Sequence, residues 1–133
     1  MGEDLKNYSA LACAYLGDAV YERHVREYIL KSRGNTQVEK YHKIALRFVC
    51  AAAQAAAAEA LKDGFDEEEA EQFRRGRNAK AHAAPKNAKT ADYRKATGFE
   101  TLIGWLWLQD RRERAEELMN RAIAYLEKQE AAV

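Results

Sequence analysis

Proline occurs once in this chain, at Pro85, so none falls within the stretches patterned for helix. β-branched residues are sparse and no stretch alternates apolar with polar residues, which excludes a sheet architecture. No run approaches the roughly 18 continuous apolar residues of a membrane-crossing helix. The N-terminus, MGEDLKNYS, is polar, with no basic segment followed by an apolar one, so no secretory leader is expected. The two cysteines, Cys13 and Cys50, lie far apart in Ala-rich surroundings. They are expected to be buried free thiols in a reducing cytosol, not a disulfide or a metal site. His24, His42 and His82 have no metal-ligand spacing.

What is present reads as helix. The chain has 133 residues, 47% hydrophobic and 32% charged, which suits one folded domain over residues 1–133 with a real core. Ser9 is placed to cap a first helix, with Leu11, Ala12, Tyr15 and Leu16 on one face. Gly17 disfavours helix and is expected to break it, leaving Asp18 to open a second helix to about Ser32. A long Ala-rich helix is expected from about Thr36 to Lys62, ended by Gly64 as its C′ glycine. Asp66 and Glu69 have the spacing of a capping box for a short helix ending near Gly76. Thr90 or Asp92 opens a helix carrying Phe99, Leu102, Ile103, Leu106 and Trp107. A last amphipathic helix runs from about Arg111 to Gln129.

The net charge of +1 hides an asymmetry. Residues 74–95, RRGRNAKAHAAPKNAKTADYRK, hold eight Lys and Arg against the single acid Asp92, a segment charge of +7, leaving −6 on the remainder. A basic segment on an acidic protein suits a polyanionic partner such as nucleic acid; the alternative is a solvated surface loop.

Two acids stand in apolar, glycine-containing stretches: Asp18 in YLGDAVYE and Glu100 in TGFETLIGWLWL. Core-facing acids are costly unless paired, hydrogen-bonded or bound to metal. Gly98 and Gly104 would allow the helix of Glu100 to approach that of Asp18 closely. Two such carboxylates are the minimum for a hard divalent cation such as Mg²⁺. Equally open is that Asp18 is only an N-cap and Glu100 pairs with a nearby Arg or Lys. With a basic segment close by, a carboxylate-held cation would suit phosphodiester hydrolysis.

These same stretches carry a resemblance. LACAYLGDAVYERHVREYIL resembles the signature of the ribonuclease III catalytic domain, and GFETLIGWLWL resembles that family's second acidic motif. RGRNAKAHAAPKN, residues 75–87, is similar to the basic loop of the Mini-ribonuclease III branch, which lacks a double-stranded-RNA-binding domain. The resemblance spans about residues 8–127. It implies an all-α, dimeric endonuclease bundle cleaving double-stranded RNA, with Mg²⁺ as cofactor and Asp18 and Glu100 as catalytic, metal-binding carboxylates. Arg77, Asn78, Lys80, Lys86 and Arg94 are the residues expected to contact RNA. Tyr15 and Leu16 are expected at the dimer contact. The implied setting is maturation of precursor large-subunit (23S) ribosomal RNA in the cytoplasm. The larger family members carry further acids where this chain has Leu11, Ala14 and Thr97, so a smaller carboxylate set is implied. Glu22 would supplement it, or pair with Arg26 at i,i+4. The rival reading is a catalytically inert RNA-binding or ribosome-assembly helical protein.

Overall fold

The computed structural model describes residues 8–79 and 89–131. Six α-helices follow one another, with no strand among the described residues: α1 Ala10–Arg33, α2 Val38–Val49, α3 Ala51–Leu61, α4 Glu67–Asn78, α5 Thr90–Leu108 and α6 Arg112–Ala131. The all-α expectation holds.

Helix α5 is the axis of the bundle. Its segment from Ala96 to Leu106 is buried except for Glu100, as a helix apolar on every side must be. Phe99, Leu102, Ile103 and Leu106 are fully enclosed by Tyr21, Val25 and Ile29 of α1, Ala57 and Ala58 of α3, Phe73 of α4, and Leu118, Met119 and Ala122 of α6. Tyr21 meets Phe99 edge to face, with centroids 5.2 Å apart.

Local rules account for several helix ends. The Ser9 hydroxyl accepts the Ala12 amide at 3.0 Å, capping α1 as expected. Gly34, with φ of 74°, closes that helix in a conformation that favours glycine. Asp66 and Glu69 form the expected capping box of α4. Glu69, almost wholly buried, also receives Arg114 of α6 at 2.8 Å, which holds its carboxyl below the usual range.

Three boundaries differ from the sequence reading. Gly17 does not break α1, and Asp18 caps nothing; both lie inside one helix of 24 residues. The long helix expected over 36–62 is two helices bent by 46°. It breaks at Cys50, which is extended (φ −66°, ψ 158°). No Gly or Pro marks that break. Side chains take the local carbonyls instead: Tyr21 donates its hydroxyl to Phe48 O at 3.1 Å, and Gln54 donates its amide to Val49 O at 2.9 Å. Gly64 lies in a 3₁₀ turn over Lys62–Gly64 and is not a left-handed C′ residue. The break also exposes Cys50, so of the two free cysteines only Cys13 is buried.

Candidate active site

The site begins at a contact between two glycines. A Cβ on Gly17 would land on the carbonyl of Glu100, and one on Gly104 would land on the carbonyl of Cys13, both far inside van der Waals contact. Helices α1 and α5 therefore touch backbone to backbone. Gly17 serves this approach, and its helix penalty is outweighed by the packing it permits. A second pair, Gly76 and Gly98, does the same between α4 and α5.

At the first crossing, Asp18 of α1 and Glu100 of α5 come together. The Asp18 carboxylate lies close enough to raise the proton affinity of the Glu100 carboxyl. The expectation that both face the core is corrected: Asp18 is exposed, since its helix turns it to the rim, while Glu100 is partly buried. Gln54 of α3 completes the group, donating its amide to Glu100 Oε2 at 3.2 Å.

Among the described residues, the electrostatics are those of two acids that repel one another. Burial pushes the Glu100 carboxyl well above the usual range; the Asp18 charge and, more weakly, Glu22 push the same way, and the Gln54 amide opposes them. Among the described residues no Lys or Arg lies within ion-pair distance of either Asp18 or Glu100. Glu22 pairs with Arg26 at 3.4 Å. Among the described residues no cluster of three or more His, Cys, Asp or Glu forms a fuller set. Thr97 turns its hydroxyl to Tyr93 O at 3.0 Å, within its own helix. Two adjacent carboxylates short of positive charge fit Mg²⁺, which keeps most of its waters and needs one or two protein carboxylates.

A pH dependence follows. In the cation-free protein Glu100 keeps its proton at a pH where the unfolded chain has lost it. The folded state then binds more protons, so stability falls as pH rises from the ordinary glutamate range through the raised pKa. Thermal unfolding in EDTA between about pH 5 and pH 8 is expected to lose on the order of 2 kcal/mol from this source. Glu100→Gln should flatten that slope; an equal slope in the variant would refute the assignment.

The candidate RNA contacts are more scattered. Asn78 ends α4 and is exposed; Arg77 beside it is partly buried, its guanidinium 5.8 Å from the Phe73 ring centroid. Arg94 is exposed near the start of α5. Lys80 and Lys86 lie outside the described residues. Sequence reasoning passed over Gln54. The available signal was a lone amide in the alanine run 51–58.

Six helices around an apolar axis, with paired carboxylates at a glycine crossing, make an all-α domain with an acidic site at a helix contact. The Ribonuclease III domain model matches residues 11–111. The Mini-ribonuclease 3 of Clostridium tetani is 46% identical over 121 residues, covering 91% of this chain and 80% of that protein. That of Symbiobacterium thermophilum is 48% identical over 118 residues, covering 89% and 90%. A crystal structure of a protein from Fusobacterium nucleatum superposes with a TM-score of 0.80 at 28% identity, covering 91% of this chain and 96% of that one. The chain belongs to the ribonuclease III family, in its Mini-ribonuclease 3 branch, and is by class a double-strand-specific endoribonuclease.

Proposed function

We propose that this endoribonuclease depends on Mg²⁺ held by Asp18 and Glu100, acts as a homodimer in the cytoplasm, and matures precursor 23S ribosomal RNA. The observation that carries the proposal is the juxtaposed carboxylate pair, which no Lys or Arg among the described residues neutralises. A cation bound there supplies an activated water and offsets charge at the phosphorus. Asp18 and Glu100 orient it from two helices whose spacing the glycine crossing holds. Arg77, Asn78, Lys80, Lys86 and Arg94 are assigned to backbone contacts that position the duplex.

The α1 surface supports a dimer. Tyr15 is 85% exposed, and Leu11 and Leu30 of the same helix are also exposed. Large apolar side chains on the outside of one helix suit an isologous contact between copies. Asp18 lies three residues from Tyr15, so such a contact brings two sites close, one for each strand. The ribosomal substrate is the one the family resemblance implies. Incubating the protein with structured ribosomal precursor and mapping the ends tests it: paired cuts on opposite strands of one stem support the reading, and cuts confined to single-stranded RNA overturn it.

The basic segment yields a separate expectation. Replacing Lys80 and Lys86 by alanine should weaken duplex binding for all sequences alike. The log–log dependence of affinity on salt should become shallower by roughly 2, since two phosphate contacts are lost. Fluorescence anisotropy across a salt series reads both. An unchanged slope with unchanged affinity would return these lysines to ordinary solvated surface.

A further inference from the structure

We propose that Gln54 is the positioning residue of the carboxylate pair, its side-chain amide holding Glu100 in place for a divalent cation; this rests on the reading of Asp18 and Glu100 given above. Gln54 is the one polar residue in the run AAAQAAAA and is only 3% exposed. Its amide nitrogen has two protons, and both are directed. One goes to Val49 O at 2.9 Å, the other to Glu100 Oε2 at 3.2 Å.

The Val49 carbonyl sits at the break between α2 and α3. In an unbroken helix it would accept the amide of residue 53; here it accepts the Gln54 side chain. A carbonyl accepts and never donates, so the nitrogen of Gln54 must face it, and the rotation of the amide is settled by the backbone. That rotation leaves Oε1 buried with no donor among the described residues. An apolar side chain of the same length would strand no side-chain oxygen, but it would leave Val49 O and Glu100 without this donor. What the amide adds is a fixed N–H aimed at a carboxylate.

That N–H favours the ionised form of Glu100, which is the form a cation needs, and restricts its rotamer. Hydrogen bonds to ligating carboxylates act in this way, and their loss weakens metal affinity about 10- to 100-fold. Helices α1, α3 and α5 thus each supply one group: Asp18, Gln54 and Glu100.

The test is Mn²⁺ binding without RNA, followed by loss of the free-ion paramagnetic resonance signal, for wild type, Gln54→Met, Gln54→Ala and Glu100→Gln. Gln54→Met keeps length and Gln54→Ala does not, so a folding defect in one leaves the other usable. Both are expected to bind Mn²⁺ about tenfold or more weakly than wild type, in protein that still folds although the loss of the Val49 O bond lowers its melting temperature. The Mg²⁺ concentration for half-maximal cleavage should rise in parallel, while turnover at saturating Mg²⁺ recovers most of its wild-type value. A purely structural role would not produce that split. Wild-type affinity in a folded Gln54 variant, beside weakened binding in Glu100→Gln, overturns the role of Gln54 and leaves the carboxylate reading standing. Equal binding by wild type and Glu100→Gln overturns the carboxylate reading itself.

Discussion

Glu100→Gln, and likewise Asp18→Asn, is expected to lower duplex cleavage at saturating RNA by roughly a thousandfold or more, equivalent to about 4 kcal/mol on the barrier. Each change keeps the shape of the side chain and removes one of two charges, so little of the cation's binding survives. Folding should be retained. Glu100→Gln should even stabilise the cation-free protein near neutral pH, because it removes a carboxyl that burial and Asp18 disfavour in its charged form. RNA affinity should change little, since neither residue contributes positive charge. Single-turnover cleavage, anisotropy and thermal unfolding on the same preparations separate these effects. A near-wild-type rate in either variant would remove both residues from catalysis.

Gly104→Ala is expected to have the largest effect on the fold. The added methyl would meet the Cys13 carbonyl, and Gly17 N lies 3.0 Å from its position. Backbone atoms cannot rotate aside as a side chain can, so α1 and α5 must separate. The cost is on the order of 4 kcal/mol, a large share of the roughly 5–15 kcal/mol that holds a domain of this kind together. Whatever folds would also hold Asp18 and Glu100 further apart. Gly34→Ala is the comparison: φ there is 74° but nothing lies within 4 Å of the added atom, so only backbone strain of about 1 kcal/mol applies. Circular dichroism melts of the two variants give the contrast. A Gly104→Ala protein melting as close to wild type as Gly34→Ala does would show that the crossing is looser than described.

Much of the architecture is legible because it follows local rules. Periodic apolar residues, the Ser9 cap and the Asp66–Glu69 box each act within a few residues of sequence, and each is found in the structure. The misreadings arise where distant contacts decide. Gly17 disfavours helix by itself, yet α1 runs through it because Gly104 and the Glu100 carbonyl need the space its missing Cβ leaves. The bend at Cys50 is marked by no Gly or Pro; Tyr21, from α1, and Gln54, just past the bend, take the carbonyls around it.

The carboxylate pair was half legible. Acids beside glycines in apolar stretches flag a helix crossing, and the two residues do meet there. That Asp18 lies at the exposed rim depends on the rotation of an unbroken α1, which no local pattern reports. Gln54 was hidden because its role depends on a bend the sequence does not signal and on a partner 46 residues away.

The most direct measurement is anomalous diffraction from crystals of wild type and Glu100→Gln soaked in Mn²⁺. The account predicts a peak within coordination distance of both the Asp18 and Glu100 carboxylates in wild type, lost or much weakened in Glu100→Gln. No peak at the α1–α5 crossing in wild type, or an equal peak in the variant, would contradict it.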